Sequence, residues 1–249
     1  DISVEAHRAA MRAVRAGIHE YELQAELEYV FRHHGAQPAY ASIVGAGANA
    51  CVLHYRANSA KVRAGELVLV DAGAEHRGYA ADIPRTFPVD GRFNRQQRAL
   101  HDLVCRAQAA ALVQARPGVP YEAGHDAAVA TLAEGLLSLG LLHGRLETVL
   151  ANGDYKRFYR HKTGHWLGLD VHDVGEYRLD GASRLLEPGM VFTIEPGLYI
   201  PQDDATVAPK WRGIGIRIED DVLITGDGHR VLTGALERSA DEVEALMSM

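Results

Sequence analysis

The chain has 249 residues, 47% hydrophobic and 24% charged, which is enough to bury a substantial core and unlike the composition of a disordered segment. A formal net charge of −7 without any basic stripe excludes the electrostatic footprint of a nucleic-acid binder. No signal peptide or apolar run of about eighteen residues is present, and Cys51 and Cys105 are isolated, so a soluble, cytoplasmic protein away from membranes is expected.

Residues 3–16 carry helix formers with Val4, Ala10, Met11 and Val14 as apolar positions, predicting a helix stopped by Gly17. Asp1 already lies in that helical pattern and is not a Met, so a fragment of a longer chain is expected. A second helix is predicted from about Tyr21 to His34, with Leu23, Leu27, Val30 and Phe31 on one face and Gly35 as its stop. From Tyr40 to Tyr55 the chain is Gly-rich and β-leaning. Gly45 and Gly47 do not make a phosphate loop, because no Lys-Ser/Thr follows and no helix opens there. Residues 65–73 read as an apolar strand carrying Asp71, and residues 78–87, carrying Asp82, as its hairpin partner across the turn Glu75-His76-Arg77.

Helices are expected again at about Asn94–Gln114 and Tyr121–Leu139, the latter closed by Gly140. His161, His165 and His172 then fall within thirteen residues, bracketed by Gly164 and Gly168. An isolated histidine is more often a satisfied core or surface residue than a site residue, but this clustering points to a site. After His165, apolar and polar positions alternate, which predicts a strand and excludes the helical spacing of an HExxH zinc site. On a flat strand an offset of seven would set His165 and His172 on opposite faces; a bend at Gly168 would bring them together. Residues 188–197 predict a strand ending on Glu195. Residues 213–224 alternate as one strand holding Arg217 and Glu219, and residues 240–248 predict a closing helix.

Gly65, Asp71 and Gly73 have the same spacing as Gly189, Glu195 and Gly197, and Arg15-Ala-Gly17 matches Arg116-Pro-Gly118 upstream. The chain therefore reads as an internal duplication, about 1–90 and 91–235, packed around a pseudo-twofold axis. The fold class is α+β, two αα-ββ halves with outer helices over a mixed, mostly antiparallel curved sheet.

Asp71, Asp82, Glu195 and Glu219 each sit in or at the end of an apolar run, where an unpaired carboxylate is costly. Arg85 and Arg217 would neutralise only two of the four, whereas two divalent cations would neutralise nearly all of the charge. Four carboxylates with the single imidazole of His165 suit manganese, iron or cobalt better than a tetrahedral zinc site.

Taken together, the stretches Leu53-His54-Tyr55, Leu69-Val-Asp71-Ala-Gly73, Asp82 to Pro88, His161 to Asp173, Glu187 to Gly197 and Gly213 to Asp221 resemble the catalytic domain of the aminopeptidase P family. These are dinuclear metallopeptidases (family M24) sharing the pita-bread fold with prolidase and methionine aminopeptidase, and the resemblance runs to about residue 225. It implies one catalytic domain over residues 1–249 and two divalent ions, manganese first, with cobalt, iron or zinc as alternatives. Asp71 would serve chiefly one ion and His165 the other, with Asp82 on both or chelating one, and Glu195 and Glu219 completing or bridging the pair. His54, His161 and His172 would line the pocket, stabilise the tetrahedral intermediate or shuttle protons, and Arg217 would orient the acids. Glu195 is the expected acid/base, and Tyr55, Trp166 and Tyr199 the expected walls of a proline recess.

The expected substrate is a peptide with proline second, losing its first residue. The alternative is a prolidase acting on Xaa-Pro dipeptides, and a noncatalytic binding module is disfavoured because all five ligands are intact. The resemblance also implies an N-terminal domain that this chain lacks and a homo-oligomer contact. Arg160 departs from the family, which more often has an apolar residue there.

Overall fold

The computed structural model describes residues 1–248. Helices α1 (Ile2–Ala13) and α2 (Glu20–His33) pack together through Val4, Ala10 and Met11 on one and Leu23, Leu27 and Phe31 on the other, all buried. The helix α1 is shorter than expected because Val14 is already extended, its N–H still tied to the Ala10 carbonyl. Glu22 closes a capping box on His19 at the start of α2, its carboxylate accepting the His19 N–H at 2.8 Å.

Strand β1 (Gln37–Pro38) pairs with β4 (Ala74–Glu75), and β2 (Ile43–Ala46) and β5 (Arg85–Pro88) flank β3 (Leu67–Asp71). The β-leaning stretch after β2 does not stay extended: Gly47–Cys51 is a 3₁₀ turn, opened by Gly47 at φ +54°. Of the expected hairpin partner only residues 85–87, continued by Pro88, pair with β3, so Asp82 lies in the irregular link before them. That link passes so close to β3 that a Cβ on Gly73 would collide with the Ala81 carbonyl.

In the second half, α3 (Arg95–Gln114) starts from an Asn94–Gln97 capping box and packs on α4 (Glu122–Ser138). A seven-residue helix, α5 (Leu146–Asn152), was not expected; it stops at Gly153, φ +72°. Strands β6 (Arg178–Leu179) and β7 (Ala182–Ser183) form a small hairpin. Strand β8 (Val191–Ile194) pairs with β11 (Asp220–Ile224), which also pairs with β12 (His229–Val231), while β9 (Gly197–Ile200) pairs with β10 (Ile214–Arg217). The single strand expected over 213–224 is therefore two, in different sheets. At the corner the Ile218 and Glu219 N–H groups leave the ladders for the carbonyls of Pro196 (3.3 Å) and Pro84 (3.1 Å). Helix α6 (Ala240–Met247) closes the described chain on a Ser239–Glu242 capping box. Every ladder between these strands is antiparallel, and α3 packs against β8, β9 and β10.

The histidine stretch is not the free strand that its alternation predicts. Its backbone runs beside β8, with the Glu195 N–H on the Thr163 carbonyl (2.8 Å), the Thr193 N–H on His165 (2.9 Å) and the Leu167 N–H on Val191 (3.2 Å). Past Trp166 it folds back, the Asp173 N–H donating to the Trp166 carbonyl at 3.0 Å. Gly168 is where the expected bend occurs; a Cβ there would strike the Asp173 carboxylate.

Candidate metal centre

Five elements deliver the side chains. Asp71 is the last residue of β3, Asp82 lies in the link to β5, and His165 lies beside β8. Glu195 follows β8 directly, and Glu219 occupies the corner between β10 and β11. The His165 Nε2 is 3.3 Å from Asp82, 3.9 Å from Glu195 and 3.8 Å from Glu219. Donor atoms of Asp82, His165 and Glu219 all lie within 4.8 Å of one another. Arg217 forms a buried ion pair with Asp71 and donates to the Tyr199 hydroxyl at 2.9 Å, which in turn meets the His161 Nε2 at 2.8 Å. Arg85 is committed elsewhere, to Asp220 at 2.7 Å. One guanidinium and the His165 imidazole are thus left against four acids, because His161, 3.5 Å from Glu195, is kept neutral by burial and Arg217, which lower it to about 3.

That imbalance shows in the proton affinities. Burial, then repulsion from Asp82 and Glu195, holds the Glu219 carboxyl well above the usual range. Burial and Asp71 raise Asp82, and burial pushes Glu195 up to about 8. Burial alone would lower His165, but the hydrogen bond to Asp82 and the charge of Glu195 outweigh it and carry the imidazole up to about 9. The Glu219 Oε1 is buried without a hydrogen-bond partner. An orphaned carboxylate oxygen, crowded acids and an oxygen-rich donor set are what a hard divalent cation relieves. The residues fit such ions, and Asp71, Asp82, His165, Glu195 and Glu219 could hold them.

A cavity of about 1030 Å³ opens on these groups. It brings together all five expected ligands with Arg217, His54, His161 and His172, and the His172 ring stands edge-on to His165 at 4.4 Å. The three expected recess walls do not line it. The Tyr55 hydroxyl is drawn to the buried Glu20 carboxylate (2.8 Å), Trp166 is buried and stacked on Tyr177 (5.4 Å), and Tyr199 is buried behind His161 and Arg217. Each has a polar atom or a flat face that finds a better partner inside the protein. Ile43, Leu53, Val171 and Phe192 supply the apolar wall instead. Arg160 is exposed, hydrogen-bonded to the Arg157 carbonyl, and does not line the cavity.

Two residues of the centre escaped sequence reasoning. Tyr40 bridges Asp71 (2.7 Å) and Asp82 (2.5 Å) through its hydroxyl and sits in a stretch with no periodic signal. Asp221 is buried and accepts the Asp82 N–H at 3.3 Å. Its place two residues beyond Glu219 in an alternating run was the available clue.

The chain matches metallopeptidase family M24 over residues 1–226. It is 47% identical over 248 residues to the Xaa-Pro aminopeptidase of Escherichia coli, covering 99% of this chain and 56% of that protein. It is 44% identical over 248 residues to the Xaa-Pro aminopeptidase of Haemophilus influenzae, covering 99% of this chain and 57% of that protein. Among solved structures, the aminopeptidase PepP of Pseudomonas aeruginosa superposes with a TM-score of 0.98 at 53% identity, covering 99% of this chain and 56% of that one. Escherichia coli aminopeptidase P with the inhibitor Pro-Leu gives 0.96 at 47% identity, with the same coverage of 99% and 56%. The chain thus spans about half the length of the curated relatives it matches. The α+β architecture is the pita-bread fold of these relatives, and the chain belongs to metallopeptidase family M24.

Proposed function

We propose that this chain carries the catalytic centre of an Xaa-Pro aminopeptidase, which releases the first residue from peptides with proline second. The observation that carries the reading is the convergence of four carboxylates and His165 on one cavity, with the Glu219 oxygen left unsatisfied. The names of the relatives support the substrate class. Asp71, Asp82, His165, Glu195 and Glu219 would hold two divalent ions, manganese first. Such ions would supply a nucleophile from water near neutral pH and polarise the scissile carbonyl.

The protein's own groups do the rest. Glu195, whose carboxylate lines the cavity, accepts a proton from the attacking water and delivers it to the proline nitrogen as that nitrogen leaves. His172, exposed at the cavity beside His165, and His54 donate to the developing oxyanion. His161 is held by Tyr199 at the cavity wall, where it orients the substrate. Ile43, Leu53 and Val171 offer the proline ring an apolar surface. The free cysteines Cys51 and Cys105 support a cytoplasmic location. We also read residues 1–249 as one catalytic domain with a pseudo-repeat of about 1–90 and 91–235. The two three-stranded antiparallel ladders, one in each part, support that division.

The test is hydrolysis by the chain loaded with Mn²⁺. An Xaa-Pro-Xaa tripeptide is expected to lose its first residue, and N-acetylation or replacement of proline by alanine should stop or sharply reduce cleavage. Cleavage of the Xaa-Pro dipeptide alone would make it a prolidase. Equal cleavage of Xaa-Ala-Xaa would make it a broader aminopeptidase.

A further inference from the structure

Residues 158–165, which carry both His161 and His165, belong to no helix or strand, so a few backbone hydrogen bonds to the neighbouring strands and their own side-chain contacts set their path. One residue of this segment is tied on three sides. The buried Thr163 hydroxyl meets His125 Nδ1 at 2.8 Å and the Tyr159 hydroxyl at 2.7 Å, and its carbonyl accepts the Glu195 N–H at 2.8 Å. His125 belongs to α4, a seventeen-residue helix. Tyr159 is buried and packs edge-on against His161 at 4.9 Å. The next residue, Gly164, passes so near the Thr193 carbonyl that no side chain fits there. A small shift of Thr163 would therefore displace His161, His165 and Glu195 together.

We propose that the Thr163 hydroxyl, bridging His125 and Tyr159, is a positioning group that sets His165 and Glu195 for metal. The proposal rests on reading the same cavity as a metal centre. Losing a side chain that orients metal ligands typically costs about 10- to 100-fold in metal affinity or activity. The competing explanation is packing, in which the β-branched shape of Thr163 matters and its hydroxyl does not. The two separate cleanly, because valine keeps the shape and serine keeps the hydroxyl.

The experiment titrates Mn²⁺ into the metal-free full chain by calorimetry and, in parallel, measures kcat and KM on an Xaa-Pro-Xaa peptide. Thr163→Val is expected to weaken Mn²⁺ binding about 10- to 100-fold and to lower kcat over a similar range with KM little changed. Thr163→Ser should restore both. If Thr163→Val does not fold, Tyr159→Phe removes one end of the bridge and keeps the ring, and weakened Mn²⁺ binding is again the expected result. Wild-type Mn²⁺ affinity in Thr163→Val, or in Tyr159→Phe if that variant stands in, overturns the proposal. So does a serine variant as impaired as the valine one. The calorimetry needs no substrate, so this pattern without Xaa-Pro cleavage would retire the substrate reading and leave the role of Thr163 standing.

Discussion

Glu219 illustrates what a single side chain undergoes when a fold is built to receive a cation. Its carboxyl is buried, one oxygen is orphaned, and burial and three neighbouring acids push its proton affinity up. A glutamine at this position would remove the charge at almost constant shape. Glu219→Gln is therefore expected to raise the melting temperature of the metal-free protein at pH 7 and to abolish the stabilisation by Mn²⁺. In the wild type that stabilisation should reach about 2.7 kcal/mol at a hundredfold excess over Kd. Thermal melts with and without Mn²⁺ read both effects, and a Mn²⁺-dependent rise surviving in the variant would remove Glu219 from the ligand set. His172 stands apart from this group, exposed to solvent and edge-on to His165. His172→Ala is expected to keep its metal, by elemental analysis, while kcat falls on the order of 10²- to 10³-fold.

Among the elements, the hairpin-like fold at Gly168 decides whether His172 reaches His165 at all. Gly168→Ala forces a Cβ into the Asp173 carboxylate, so kcat should fall with metal content unchanged, and the double variant Gly168→Ala/Asp173→Ala should recover part of the loss. Much of this level was legible in the sequence. Asp71 and Glu195 end apolar strands, Gly35 and Gly140 marked the ends of two helices, and the glycine between two histidines marked the bend. What stayed hidden has a physical cause. The corner at Ile218-Glu219 keeps the alternation of side chains while the backbone changes partners, so residues 213–224 look like one strand. Helix α5, with seven residues, is too short for a period to register. Tyr55 and Trp166 are apolar enough for a pocket wall and polar enough to be drawn inward, and only Glu20 and the Tyr121–Tyr177 cluster decide between these.

For the whole molecule, two buried histidines that do not line the cavity contribute to the acid limit. His101 is buried and its imidazole is lowered to about 3 by burial and by Arg85 and Arg98; His7 is lowered to about 4, chiefly by burial. Each stays neutral in the folded chain while the unfolded chain takes up a proton below about 6.5. The unfolded state thus binds more protons between those limits, so stability is fully present above 6.5 and is lost as the pH falls towards 3. The limiting loss is roughly 1.4 kcal/mol per pH unit for each group. Denaturant unfolding of the Mn²⁺-loaded protein between pH 6.5 and 4.5 should show this slope, and His101→Gln should flatten it by about one proton. An unchanged slope in that variant would mean that His101 titrates alike in both states.

The proposed ligands are spread along the chain from residue 71 to residue 219, each on a different element. Contacts this distant in sequence close late in folding, because the loop entropy must be lost before they form. A nascent chain leaving the ribosome presents Asp71, Asp82 and His165 well before either glutamate exists, with no corner at Glu219 to complete the cage. Capture of both ions would thereby wait until Glu219 has been made, and a chain that stops short of it would lack the full donor set.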